Sequence, residues 1–261
     1  MDTHDVWAVG DAYEGYVGRW SRAVAVRFVA WLGVGAGRRW LDVGCGTGAL
    51  TEAIAAGAEP ALVVGVDPSE GFLKTARARN PQVEFRVADA RAIPLEDNEF
   101  DAVVSGLALN FVPEPQRAVA ECVRVAKKGG GVVAAYVWDY AEGMEMMRQF
   151  WDAAVELDPD AAEFDEGRRF PVCRPEGLRE LWAGMADIAV EAIEIPTVFA
   201  GFDDFWTPFL GGQGAAPGYA MSLSEEHRGE LRERLRERMP AGSDGAIELS
   251  ARAWAIKGRV G

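Results

Sequence analysis

The segment Leu41-Asp42-Val43-Gly44-Cys45-Gly46-Thr47-Gly48 constrains the chain more than any other. An apolar run closes on three alternate glycines, and a helix-forming stretch begins directly after them. That is the pattern of a strand turning into a crossover helix, and such units build parallel sheets. Glycine lets the backbone turn tightly and approach a ligand, while a helix start presents free N–H groups and roughly half a positive charge. A ligand with a nucleoside or an anionic group is the expected occupant.

The same order recurs along the first half. Strands are expected at 39–43, 61–66, 83–87, 100–105 and 131–138, with helices near 48–56, 69–78 and 114–127, giving five βα units. Two later apolar runs, 188–195 and 249–257, bring the count to seven, and alternation in the second marks an antiparallel strand. The expected fold class is α/β, a Rossmann-like three-layer sandwich with a mixed seven-stranded sheet, as one domain over 1–261 with an N-terminal helix over 8–32 that covers the ligand. Two insertions fall outside the rhythm: 139–174, with a helix from Met144 to Leu157, and 201–245. Because they carry Trp151, Phe164, Phe170, Trp206 and Phe209, they read as a packed cap rather than a disordered tract.

Charge narrows the partners. The 261 residues hold 27 basic and 41 acidic side chains, a formal net charge of −14, so neither nucleic acid nor an anionic membrane surface is an expected partner. No stretch reaches the roughly 20 apolar residues of a membrane span, and the start lacks the order of a signal peptide, which makes the cytoplasm the expected location. Cys45, Cys122 and Cys173 are odd in number and form no CxxC pair. Free thiols are expected, without a disulfide framework or a metal site.

Gly44-x-Gly46-x-x-Ala49, with Asp67 about 20 residues on, also fits a dinucleotide fingerprint. Asp42 argues against it, since a carboxylate at the base of the turn suits a cation better than a pyrophosphate. S-adenosylmethionine carries a sulfonium and an ammonium. Here the sequence resembles the class I S-adenosylmethionine-dependent methyltransferases of the small-molecule type, among them the quinone-biosynthesis C-methyltransferases, whose first motif reads much like LDVGCGTG. The resemblance implies that Gly44 and Gly46 pass beneath the methionine part of the cofactor and that Asp67, followed by Pro68 and Ser69, accepts from the ribose hydroxyls. It implies that Asp89-Ala90 meets the adenine amino group and that Gly106 borders the site from strand four. In Tyr13-Glu14-Gly15-Tyr16-Val17-Gly18-Arg19-Trp20-Ser21-Arg22 it puts Tyr13 or Tyr16 near the cofactor and Arg22 near its carboxylate. Purely structural roles stay open beside these: Asp67 as an N-cap, Asp89 as a turn cap, and Tyr13, Tyr16 and Trp20 as packing.

Strand four runs into Ser105-Gly106-Leu107-Ala108-Leu109-Asn110-Phe111. This departs from the Asn/Asp-Pro-Pro-aromatic signature of base and glutamine methylation and from the metal-binding Asp of catechol-type enzymes. Asn110-Phe111 stands where quinone-type members often carry histidines, so no catalytic base is assigned. Cys122 and His227, the latter in a row with Leu223, Leu231, Leu235 and Met239, read as core. Trp138, Met144, Trp206, Phe209 and Gln213 are candidate acceptor contacts, with core packing as the alternative. The expected function is methyl transfer from S-adenosylmethionine to a small aromatic or apolar metabolite, leaving S-adenosylhomocysteine. The alternatives are a cofactor-binding fold without methyl transfer, cyclase-like or regulatory, and a nicotinamide-dependent oxidoreductase.

Overall fold

A computed structural model describes residues 14–212, 214–239, 242 and 245–261. A π-helical turn, Glu14–Gly18, leads into α1 (Arg19–Leu32). There follow β1 (Arg39–Val43), α2 (Ala49–Gly57), β2 (Leu62–Asp67), α3 (Glu70–Arg79), β3 (Glu84–Val87), β4 (Ala102–Gly106), α4 (Pro115–Val125) and β5 (Val132–Trp138). The first insertion holds α5 (Glu145–Leu157) and α6 (Glu166–Arg169), before α7 (Pro175–Leu181) and β6 (Ala186–Phe199). The second holds α8 (Phe202–Trp206), α9 (Ala215–Ser222) and α10 (Glu225–Arg238), before β7 (Ile247–Arg259). The strands form one seven-stranded sheet in the order β3-β2-β1-β4-β5-β7-β6.

β1 to β5 pair in parallel, and β1 lies between β2 and β4 with Asp42 opposite Gly65 and Val104. β7 runs antiparallel to β5: Gly130 donates to Val260 and Val260 to Gly131 at one end, Asp139 to Arg252 and Arg252 to Gly143 at the other. The parallel strands need apolar residues on both faces, which is why β5 is buried at every position.

Two elements differ from the sequence reading. No helix links β3 to β4, so crossover helices follow β1, β2 and β4 and the count of five βα units is too high. The link carries Pro94 and Asp97-Asn98 and no helical apolar period; Arg124 of α4 holds it instead, donating to the carbonyls of Ile93 and Leu95 at 2.8 and 2.9 Å. β6 is also longer than 188–195, because Ile193, Ile195, Thr197 and Phe199 alternate as buried positions with exposed Glu194, Pro196 and Val198 between them. Pro196 and Thr197 mask that period in the sequence.

The residues group into two compact units, with β5, β6 and β7 contributing to both. The sheet unit holds Ser21–Val137, Arg174–Ile193 and Ala253–Gly261. Cys45 and Cys122 are buried in it, Cys122 on the inner face of α4. In the second unit, which holds Trp138–Cys173, Glu194–Arg252 and the segment ending at Trp20, an aromatic core dominates. Phe150 stacks on Phe209 at 4.5 Å with 18° between planes, and Trp151 meets Phe150 edge-on at 5.1 Å. The Trp151 indole N–H donates to the buried Glu166 carboxyl at 2.5 Å. α10 begins at Ser224, whose hydroxyl accepts from the His227 backbone N–H at 3.2 Å. Leu231, Leu235 and Met239 are buried as the stripe implies, but His227 itself is exposed. It stands in the first turn, before the helix reaches its packing partner, so the core reading of His227 is corrected.

Phe209 is completely buried among Tyr16, Phe150, Phe205 and Trp206. Phe209→Ala is expected to lower unfolding stability by about 3–5 kcal/mol through lost burial and the cavity left behind. Denaturant unfolding of the two proteins checks this; a change under 1 kcal/mol would mean that the ring is not seated in the core.

Candidate functional site

The site grows from the carboxyl edge of the parallel strands. Asp42 sits one residue before the end of β1 and is fully buried. Its Oδ2 accepts from the Thr51 hydroxyl at 2.6 Å, while Oδ1 has no hydrogen-bond partner among the described residues. Burial pushes the carboxyl up to about 7; the Thr51 hydrogen bond works against that rise, and the neighbouring Asp67 charge adds to it. Beyond Asp42 the chain turns at Gly44 (φ 72°), where a Cβ would lie 2.6 Å from that of Ala108, so any side chain is excluded. Gly46 (φ 52°) differs: a Cβ there would meet nothing within 4 Å. That face of the loop is bare backbone beside open space.

Asp67 ends β2 and holds this loop in place. Its Oδ2 accepts from the Gly46 N–H at 2.9 Å and its Oδ1 from the Ser69 N–H at 2.8 Å. A carboxylate offers about four acceptor positions, so each oxygen keeps one for a ligand hydroxyl. Burial raises its pKa, against the two backbone hydrogen bonds that lower it. Pro68 is exposed, and Ser69 is the residue that caps α3, its hydroxyl accepting from the Phe72 N–H at 3.3 Å. Asp67 is therefore not the helix cap.

At the end of β3, Asp89 behaves differently. Its side chain is 44% exposed, and both oxygens are engaged by the Arg91 guanidinium at 2.6–3.2 Å and by the Arg91 N–H at 2.8 Å. The Arg91 hydrogen bonds hold this carboxyl down at about 2. Ala90 beside it is buried. Gly106 ends β4, with the Tyr136 hydroxyl only 2.6 Å from where a Cβ would stand. The next residue, Leu107, is held at φ 57°, a left-handed conformation costly for a branched side chain and characteristic of ligand-facing edges. Three residues on, the Asn110 side-chain amide nitrogen is buried without a partner among the described residues.

Arg22 belongs to the same unit, its Nε donating to Glu52 in the first turn of α2 at 3.3 Å. The sheet edge thus gathers Asp42, Gly44, Gly46, Asp67, Pro68, Ser69, Asp89, Ala90 and Gly106, with Arg22 at the adjoining helix start. The other candidates lie in the aromatic unit. Tyr16 is buried against Phe209, donates its hydroxyl to the Met147 sulfur at 2.8 Å, and has its pKa pushed well up by burial. Trp138, Met144, Trp206 and Phe209 are buried there as well, the surroundings that core packing requires. Tyr13 and Gln213 lie outside the described residues. Among the described residues, no three His, Cys, Asp or Glu side chains are grouped to hold a metal ion.

Sequence reading missed Thr51, Arg91 and Leu107. The signal for Thr51 was present, a hydroxyl on the otherwise apolar face Leu50, Ala53 and Ile54 of α2. Nothing in the sequence marks Leu107, because a positive φ at leucine is imposed by the surroundings.

The raised Asp42 pKa has a signed consequence. The folded state binds this proton more tightly than the unfolded chain, so the contribution is complete below about pH 4 and is lost as pH rises toward 7. Asp42→Asn should flatten the fall in stability over that window by up to about 4 kcal/mol. Unfolding of both proteins at pH 4.5 and 7.5 measures it, and parallel curves would refute the assignment.

A methyltransferase domain model matches residues 41–134. A demethylmenaquinone methyltransferase of Renibacterium salmoninarum is 42% identical over 134 residues, 51% of this chain and 52% of that protein. The chain spans about half the length of the curated relatives it matches. Among solved structures, a proposed methyltransferase of Bacillus halodurans superimposes with a TM-score of 0.59 at 20% identity, covering 90% of this chain and 97% of that one. A Haemonchus contortus phosphoethanolamine N-methyltransferase, solved with phosphomonomethylethanolamine and S-adenosylhomocysteine, gives 0.57 at 20% identity, covering 96% and 56%. With the strand order and the glycine loop already in place, these likenesses show that residues 41–134 match a methyltransferase domain and that the chain shares its fold with the solved methyltransferases it superimposes on.

Proposed function

We propose that the protein transfers a methyl group from S-adenosylmethionine to a small aromatic or apolar metabolite. The observation that carries this reading is the buried Asp42 oxygen without a partner, beneath a glycine loop whose open face is pinned by Asp67. Two carboxylates at the base of the loop favour a cationic ligand and disfavour a pyrophosphate, which weighs against a nicotinamide cofactor. Asp67 has acceptor capacity left for a pair of ribose hydroxyls, and Arg22 is the cation for the cofactor's carboxylate. Asp89 would join the adenine contacts only by sharing its carboxylate with Arg91. When bound, the cofactor supplies a methyl group already activated on a sulfonium. The protein then has to hold acceptor and donor in line and exclude water, effects that together lower a barrier by up to about 7–11 kcal/mol. The Asn110 amide, four residues beyond the end of β4 and buried without a partner among the described residues, would donate to an acceptor oxygen. The quinone-ring relative supports a flat acceptor, and the insertions 139–174 and 201–245 are proposed to set its specificity.

Incubation with methyl-labelled S-adenosylmethionine and benzoquinol or naphthoquinol acceptors, then with a cell extract, tests the reading. Label should appear in one acceptor together with S-adenosylhomocysteine. Donor binding without label in any product would leave a binding fold alone. Asp67→Ala should weaken donor binding roughly 10- to 100-fold, since it removes charged hydrogen bonds and frees the Gly46 N–H. Gly46→Val should abolish binding while leaving the circular dichroism spectrum intact. Unchanged calorimetric affinity in either variant would move the site elsewhere.

A further inference from the structure

We infer that the sheet unit carries a second ligand site, for a small organic phosphate, at the edge of the sheet opposite the glycine loop. Its residues all belong to that one unit, and the inference does not depend on the methyltransferase reading. A cavity of about 610 Å³ opens there, walled by the end of α1 with the loop after it, the loop between α4 and β5, and the last residue of β7. β1, β4 and β5 begin at this edge, and the antiparallel β7 ends at it. Six steps of extended chain, roughly 20 Å, separate Arg38 from Gly44, so an occupant does not touch the glycine loop.

Charge sets this cavity apart. Arg38, Lys127, Lys128 and Arg259 line it, with Asp101 the single carboxylate among the lining residues. Elsewhere the chain sets its arginines against carboxylates of their own, as in Arg91–Asp89, Arg124–Glu121 and Arg252–Asp139. Here Asp101 is shared: its Oδ1 accepts from Lys127 Nζ at 2.8 Å and from Arg38 Nη1 at 3.4 Å, and its Oδ2 from the Arg39 N–H at 2.9 Å. Arg259 Nε lies 3.5 Å from the exposed Asp187 carboxylate, and its Nη1 donates to the Gly130 carbonyl at 3.3 Å. Lys128 is exposed and has no hydrogen-bond or ion-pair partner among the described residues. The Nε–Nη2 edge of Arg38 is likewise unengaged among them. An excess of cations in a chain of net charge −14 is the complement of a multiply charged anion.

The walls narrow the class. Gly33 (φ 64°), Gly129 (φ 74°) and Gly130 (φ 129°) turn in the left-handed region, and a Cβ on any of them would meet nothing within 4 Å. Bare backbone therefore borders the open space. A phosphate monoester carries nearly two charges above its second pKa of about 6 and offers three acceptor oxygens, enough for the Arg38 fork and a lysine together. A carboxylate has one charge and two oxygens. The volume falls in the range of small-molecule sites, and Leu32, Val34 and Val132 supply apolar surface for an organic body.

Calorimetric titration of the full chain with phenyl phosphate at pH 7.5 tests this, with phenol as the uncharged control. Phenyl phosphate should bind and phenol should not. Arg38→Ala and Lys128→Ala should each weaken binding about threefold or more, and the double variant at least about tenfold. Melting temperatures should stay unchanged, because both side chains are exposed and the Lys127–Asp101 contact remains. If Arg38→Ala does lower the melting temperature, Lys128→Ala decides, since that side chain has no partner to lose. Arg86→Ala, which removes an exposed β3 cation paired with Glu84, should leave the affinity as it is. Absence of phenyl phosphate binding, equal affinity in the double variant, or the same loss in Arg86→Ala overturns the proposal. Saturating S-adenosylhomocysteine should not alter phenyl phosphate affinity; displacement would assign the phosphate to the glycine loop and also overturn it. Failure of S-adenosylhomocysteine to bind would count against the methyltransferase reading alone, so the two failures are distinguishable.

Discussion

The hydrogen bonds from Gly46 and Ser69 to the Asp67 carboxylate organise the candidate site. They join the loop after β1 to the start of α3, two segments whose backbone N–H groups would otherwise depend on water or ligand. Charged hydrogen bonds of this kind contribute about 1.5–3 kcal/mol each, and a partly buried carboxylate needs them to offset its lost hydration. Gly44 and Gly46 can adopt the required positive φ, and only then does the loop present its open face. The acidic residue, the glycines and the helix start are therefore one arrangement.

Asp42 gives that arrangement its sign. A fully buried carboxyl with one hydroxyl partner and an acidic neighbour is held at about 7, so near neutrality it is poised between two protonation states. A cation brought close would stabilise the ionised form, and an anion would be repelled or force protonation. The proposed selectivity for a positively charged ligand rests on burial and on the Asp42–Asp67 pair. Asp89, exposed and already paired with Arg91, contributes little to this field.

Much of this was legible in the sequence. Leu41 to Gly48 announces its strand, turn and helix through residue types that few other conformations use, and Asp67 follows at the end of the next apolar run. The β7 alternation was an equally local signal. What escaped depends on contacts distant in sequence. The helix-free link between β3 and β4 is held by Arg124 from α4, whereas the engagement of Asp89 is local, by Arg91 two residues on, as the turn-cap alternative implies. His227 lies on an apolar stripe but at the end that does not pack. The aromatic residues of the insertions were ambiguous for a related reason: Phe209 and Trp206 suit a ligand wall and a core equally, and the rings that surround them come from separate segments.

The central claim, that the loop above Asp42 binds a cationic methyl donor, is tested most directly by calorimetric titration with S-adenosylmethionine at pH 6.5 in two buffers of different ionisation heat. The account predicts binding with net proton release, because the donor's positive charge draws the Asp42 carboxyl below its ligand-free value of about 7. In Asp42→Asn the binding heat should no longer depend on the buffer. Absence of binding, or proton uptake on binding, would contradict it.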